Sequence, residues 1–289
     1  MILNWPSPAK LNLFLHITGL RNDGYHNIQT LFQLLNYGDE IIIKSRKDNK
    51  IQLMTPFINI IEKNNLIIKA ARLLQNYCMQ MGLLHNYQGA DIYVKKKLPV
   101  GGGIGGGSSN AATTLIALNF HWKTNIHDII LMNLANQLGA DIPLFIKGRS
   151  AFAEGIGNQL FPINLKEKWY LVAYPGITIS TQEVFSEIGL KRNSEKLSLK
   201  KLLKKKYVND CEEIVRKKFI KVEELSLWMQ QHTKSSRLTG TGSCVFGEFK
   251  TQSAAYKTLN RAPKWVQCFI AKGINRSPLH IFRANINQY

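Results

Sequence analysis

Six of the seven residues from Gly101 to Gly107 are glycine, and the run Leu98-Pro99-Val100 leads into them while Ser108-Ser109-Asn110 follows. Glycine lacks a Cβ, so backbone N–H groups there can press against phosphate oxygens, and it reaches the positive φ that turns successive N–H groups toward one anion. Ser108 and Ser109 add hydroxyl donors. Downstream, Ala111, Ala112, Leu115, Ile116 and Leu118 are spaced as on a helix, whose N-terminus carries about half a positive charge. The pattern predicts a polyphosphate cradle. A Walker A loop would end in Gly-Lys-Ser/Thr, and Ser108 follows Gly107 with no lysine. Gly101, Gly103 and Gly106 satisfy G-x-G-x-x-G with Asp128 about 20 residues on, yet six glycines fill almost any such template, and Asp128 follows a helix rather than a second strand. A flexible linker would explain the glycines but not the serine pair and the helix.

A cradle holds phosphate without transferring it; transfer needs a group that orients or deprotonates the acceptor, and positive charge for the oxygens. Asp141, in Gly139-Ala140-Asp141-Ile142-Pro143, is the best-placed carboxylate, with small and rigid neighbours that let a substrate approach. The same spacing also suits an ordinary turn or capping aspartate. Lys10 follows the rigid Pro6-Ser7-Pro8-Ala9, where a lysine can pair with an acid or a phosphate, or simply edge a strand. In Asp23-Gly24-Tyr25-His26, Tyr25 offers a stacking face and His26 two ring nitrogens, or both merely cover a hairpin.

These groups need elements to hold them. Alternation of Leu11, Leu13, Leu15 and Ile17 with polar or aromatic neighbours predicts a strand over 10–17 with one buried face, then a turn at Asn22-Asp23-Gly24 between two strand-like segments. Strands are expected at 40–44, 51–54 and 91–95, the last running into the glycine loop, and an amphipathic helix at 64–81. Helices at 109–120 and 128–138 follow, then short strands at 151–154 and 169–173. The lysine-rich stretch 198–231 reads as several short helices. A second glycine turn, Thr239-Gly240-Thr241-Gly242-Ser243, precedes a helix at 253–259 and a strand at 266–271. Strands and helices mix without strict alternation, which predicts an α+β fold.

The 289 residues suffice for one large or two ordinary domains, with 45% hydrophobic residues for their cores. No leader-like N-terminus and no apolar run long enough for a bilayer occur, so a soluble cytoplasmic chain without a membrane partner is the expectation. Four dispersed cysteines and seven scattered histidines show no metal-site spacing and leave any metal ligand unknown. A net charge of +19 raises the question of nucleic acid, but the lysines are spread along the chain without interleaved aromatics, and solvated surface explains them better.

In combination, Pro6–Asn12, Pro99–Ser109 and Leu238–Ser243 resemble the three motifs of the GHMP kinase superfamily. Asp23–His26, Gly139–Pro143 and Ala271-Lys272-Gly273 resemble features of its branch acting on a cytidine diphosphate alcohol, and the likeness runs in order from Pro6 to about Leu279. It implies a two-domain fold, an N-terminal domain like ribosomal protein S5 domain 2 (1–160, ATP-binding) and a ferredoxin-like C-terminal domain (161–289), with the active site between them. It implies ATP and Mg²⁺ as cofactors and a small-molecule alcohol as partner in isoprenoid precursor synthesis; a homodimer is left open. Asp141 would be the catalytic carboxylate and Lys10 its partner. Asn12, Tyr25, His26, Thr181 and Phe185 would line the cytidine diphosphate side, with the base between Tyr25 and Phe185. Pro99, Val100, Gly101, Gly102, Gly103, Ile104, Gly105, Gly106, Gly107, Ser108 and Ser109 would cradle ATP, helped by Asn65, Lys96 and Asn110, with Gly240 and Gly242 closing over the phosphates. The rivals are a GHMP kinase of homoserine or mevalonate type, and an RNA-binding protein with an S5-like domain. No role is assigned after Pro278.

Overall fold

The computed structural model describes residues 3–57, 61–83 and 88–286. The first half runs β1 (Asn4–Leu20), β2 (His26–Arg46), β3 (Ile51–Leu53), a 3-10 turn (Glu62–Asn64), α1 (Leu66–Gln80), β4 (Gly89–Lys95), α2 (Gly106–His121), α3 (Asp128–Asn136) and α4 (Ile142–Lys147). Next come β5 (Ala151–Glu154), β6 (Gln159–Pro162), β7 (Trp169–Tyr174), α5 (Thr181–Ser186), α6 (Leu199–Leu202), α7 (Glu212–Lys218) and α8 (Ile220–His232). The chain ends with β8 (Ser236–Leu238), β9 (Val245–Phe249), α9 (Gln252–Leu259), β10 (Gln267–Ile274) and α10 (Pro278–Ile286). This is the α+β class that the mixed pattern predicts.

One sheet runs β3-β4-β2-β10-β7-β9-β8, with β1 paired to β2 and β5 to β2 and β6. Its named pairs are antiparallel except β3 with β4. Alternation in β1 predicts one buried face, but Asn12 and Phe14 are buried as well as their neighbours. The strand feeds three clusters in turn: Trp5 packs with the N-terminal helices, Leu11 and Leu13 with a middle layer, Leu15 and Ile17 with the C-terminal helices. Register shifts against β2 fall between Pro8 and Lys10 and again between Asn12 and Leu15, so Lys10 and Asn12 are bracketed by irregularities of the kind that re-aim side chains. β2 is longer than the sequence suggests because Leu31, Phe32, Leu34 and Leu35 are all buried, and a strand covered on both faces loses its alternation.

Helix α2 is buried along nearly its whole length and is the axis of the N-terminal cluster. It begins at Gly106, inside the glycine run and ahead of the expected Ser109, because its N-cap is Gly105 in the left-handed region. α1 starts where Asn65 caps it, the side chain accepting a bond from Ile67 N at 2.9 Å. After β10 the chain returns to the N-terminal cluster. Leu279 is buried there, Phe282 lies edge-on to Trp5, and Arg283 grips Asp128 bidentately at 2.6 and 2.7 Å. Asp128 is therefore held by a helix–helix ion pair. No helix among the described residues is long and apolar enough to cross a membrane.

Candidate active site

The glycine run bends back on itself with Gly101, Gly103 and Gly105 at φ of 70°, 73° and 74°. The N–H groups of the first turn of α2, at Gly106, Gly107 and Ser108, lack a preceding helical carbonyl, and no side chain caps them. They are the donors that an anion needs. The glycines answer to a second constraint that composition does not reveal. The third motif, around Thr239–Gly242, packs directly against them: Cys244 N donates to Gly102 O at 3.1 Å, and Thr239 Oγ1 donates to Gly103 O at 3.3 Å. A Cβ on Gly103 would stand 2.3 Å from Thr239 O and 2.7 Å from Gly242 O, both backbone. Gly103→Ala is therefore expected to force the two loops apart, raising KM for ATP about tenfold or more and lowering stability by about 1–3 kcal/mol. ATP titration and urea unfolding of the variant measure both effects.

Lys10 lies under this junction, almost fully buried. Its backbone N–H donates to Ile104 O at 3.0 Å, which ties β1 to the loop. Its ammonium has three acceptors for its three protons: Asn12 Oδ1 at 2.6 Å, Gly103 O at 3.0 Å and Asp141 Oδ2 at 3.2 Å. Asp141 occupies the N-cap position of α4 yet makes no side-chain capping bond, so the carboxylate is turned toward Lys10 instead of serving the helix. About a third of its side chain remains exposed. The turn-residue alternative accounts for its place in the chain but not for this orientation. Asn12 is fixed from three sides, donating through Nδ2 to Thr30 Oγ1 at 2.8 Å, accepting from Lys10, and donating its backbone N–H to Thr239 Oγ1 at 3.0 Å.

On the other flank of the α2 N-terminus, Lys96 Nζ bonds Asp39 Oδ2 at 2.5 Å. Asp39 is buried and also accepts from Lys97 N and Leu98 N at 2.7 and 2.9 Å, so it fixes the segment that leads from β4 into the loop. Ser108 is partly exposed at the first turn, whereas Ser109 and Asn110 are buried and held by Ser7, whose hydroxyl lies 3.0 Å from Ser109 Oγ and 2.7 Å from Asn110 Oδ1. Asn65, capping α1, borders the loop through its neighbour Leu66, which lies against Gly107.

The second half of the site starts at the β1–β2 turn. Tyr25 is exposed there, on a turn stiffened by the Arg21–Asp23 pair. His26 is buried beneath it and stacks on Phe185 of α5, with centroids 4.9 Å apart and planes at 29°. Phe185 thus lies on His26. Arg192, which nothing in the sequence singles out, donates from Nε to His26 Nε2 at 3.0 Å. Burial, with the Arg192 charge beside it, lowers the imidazole pKa below its usual value. Thr181 joins this half to the phosphate half: its hydroxyl lies 3.0 Å from that of Thr241, next to Gly240 and Gly242. The sequence-derived residues therefore form one band, from Tyr25 and His26 through α5 and the third loop to Gly103, Lys10 and Asp141.

A cradle of open amides with a lysine-braced carboxylate at its rim is set in this sheet and helix arrangement, and the family model described as GHMP kinases N terminal domain matches residues 65–149. Among solved structures, the chain is similar to a 4-(cytidine 5'-diphospho)-2C-methyl-D-erythritol kinase, at 27% identity and a TM-score of 0.80 over 95% of this chain and 100% of that one. It shares its fold with the mevalonate kinase of Methanococcus jannaschii, at 18% identity and TM-score 0.67 over 95% and 98% of the two chains. The homoserine kinase of Cytophaga hutchinsonii has the same fold at 13% identity and TM-score 0.61, over 96% and 94%.

Proposed function

We propose that this chain transfers the γ-phosphoryl group of ATP to the 2-hydroxyl of 4-diphosphocytidyl-2-C-methyl-D-erythritol, yielding the 2-phosphate and ADP in non-mevalonate isoprenoid precursor synthesis. The observation that carries the reading is Lys10, whose ammonium bonds Gly103 O and Asp141 together and so sets an acid at the rim of the phosphate cradle. The open amides of α2 and the glycine loop hold the triphosphate, with Lys96 and Ser108 alongside. Asp141 orients the acceptor hydroxyl and takes its proton as the bond from the γ-phosphorus to the bridging oxygen of ADP breaks. In a loose transition state most of this work is positioning and charge stabilisation.

Mg²⁺ fits this site as an ion carried mainly on phosphate oxygens, which asks for only one or two protein oxygens; the partly exposed Ser108 hydroxyl at the first turn of α2 is the group that would supply one. When bound it neutralises charge on the β- and γ-phosphates. The acceptor is read from the other half of the site: an exposed tyrosine ring and an adjacent histidine suit a nucleobase and have little use with a small aliphatic alcohol. We assign residues 1–160 to the ATP-binding domain and 161–289 to the second, and the cytoplasm as the place of action. Offering ATP with diphosphocytidyl-methylerythritol, homoserine, mevalonate and galactose in parallel tests the reading. Only the first is expected to consume ATP stoichiometrically, and consumption with another alcohol alone would overturn it.

A further inference from the structure

Between α6 and α7 the chain doubles back along β1 and brings one buried amide side chain to the third loop. Leu15 N donates to Val208 O at 3.0 Å and Asp210 N to Leu15 O at 2.8 Å, a parallel bridge just past Asn12. Asp210 secures it by accepting from Ile17 N at 2.7 Å and from Ser194 Oγ at 2.6 Å. Asn209, between them, is buried. Its Oδ1 accepts from Cys211 N at 2.9 Å, and its Nδ2 donates to Leu238 O at 2.9 Å and to Gly240 O at 2.8 Å. The amide has one sense only, because a backbone N–H needs the oxygen and two carbonyls need the nitrogen. Gly240 is thereby held from two directions: its carbonyl by Asn209, and its α-carbon by the glycine run, where an added Cβ would stand 3.1 Å from Gly103 O and 3.5 Å from Asn12 Oδ1. In a trans peptide the carbonyl and the next N–H point in opposite directions. The Asn209 bond therefore also sets Thr241 N–H, which finds no acceptor among the described residues although Thr241 is buried. Buried amides are seldom left so, and one on a loop that packs against a phosphate cradle is a donor for an anion.

We infer that Asn209 is a positioning residue for the triphosphate: by gripping Leu238 O and Gly240 O it holds the third loop in place against the glycine run. The inference rests on the reading that ATP lies in this cradle with Gly240 and Gly242 over its phosphates, and it gives the lysine-rich stretch a part in the reaction through a buried asparagine rather than through its lysines. Thr239 Oγ1, bonded to Asn12 N, is a second tie between β1 and the loop. Loss of the Asn209 bonds should therefore displace a loop that stays anchored, not unfold the chain.

Asn209→Asp keeps the size of the side chain and the acceptor for Cys211 N but sets an oxygen against two carbonyls. In the full chain it is expected to raise KM for ATP and the inhibition constant of ADP about tenfold or more, with KM for the cytidine diphosphate alcohol within about twofold of its former value. The loss should fall on KM rather than kcat, and inhibition by adenosine, which has no phosphate, should be unmoved. Asn209→Ala, which adds no repulsion, should shift the same two constants in the same direction by less. A purely structural role would move adenosine and the alcohol along with ATP, or lower stability and leave every constant alone; either result overturns the inference. If both variants fail to fold, hydrogen exchange in the unaltered chain decides. The Asn209 Nδ2 protons are expected to exchange slowly, and more slowly still with ADP bound, whereas exchange at the rate of an exposed amide, or a rate that ADP leaves unmoved, overturns the inference. If the unaltered chain turns over no ATP with the alcohol, the function reading falls and this inference with it; turnover in the unaltered chain with ATP and ADP constants unmoved in both variants sinks the inference alone.

Discussion

Asp141→Asn is expected to lower kcat by about 10²- to 10⁴-fold while leaving KM for ATP and the folded stability nearly unchanged. Asn has the same size and keeps one oxygen acceptor, so the Lys10 contact at 3.2 Å loses its charge without losing its geometry. Asp141 makes no capping bond to α4, and Pro143 in the first turn removes one of the amides a cap would serve, so the helix does not depend on the carboxylate. The substitution thus separates chemistry from structure more cleanly than is usual for a residue at a helix terminus. What it removes is the negative oxygen that receives or aligns the hydroxyl proton. Steady-state kinetics at saturating ATP, with circular dichroism and urea unfolding as controls, measure the effect. Activity within a few-fold of the unaltered chain would take Asp141 out of the reaction.

The parts of this site that can be read from the sequence are those whose function depends on backbone or on local spacing. The glycine run, Asp141 beside Pro143, and Lys10 after Pro6–Ala9 announce themselves because small or rigid residues surround each of them. What escapes is the buried polar scaffold. Asp39 stands alone between Gly38 and Glu40 in the strand β2, yet it holds Lys96 and two amides across 57 to 59 residues. Thr239 reaches Asn12 across 227 residues and Arg192 reaches His26 across 166. No periodicity marks such residues, because their partners are chosen by the fold. The one available signal is polar identity inside an apolar run, as at Thr30 and Gln33 in β2, both buried. The same logic explains the fold itself. Amphipathic α1 is readable, whereas β2, covered on both faces, and α2, which begins among glycines of low helix propensity, are not fully so.

Lys10→Met should show the second large effect, and one of a different kind. Methionine preserves the apolar stem, which lies against Gly105, but strips one donor from each of Gly103 O, Asn12 Oδ1 and Asp141. Gly103 O keeps Thr239 Oγ1, but Asn12 Oδ1 is left without its donor, and a buried acceptor so orphaned costs about 1–3 kcal/mol. Stability should therefore fall by about 1–3 kcal/mol, read as a lower urea midpoint, whereas Asp141→Asn barely moves it. Turnover should fall about 10²- to 10³-fold, because the carboxylate loses its brace and the Gly103 carbonyl loses the contact that sets the loop. If Lys10 and Asp141 act as one unit, the kinetic losses are not additive. The double variant should be little slower than the worse single one, with a coupling of about 1–3 kcal/mol. Full additivity would mean that the two residues serve separate ends, with Lys10 acting on the loop alone, and the acid would then need another partner to hold it at the phosphate.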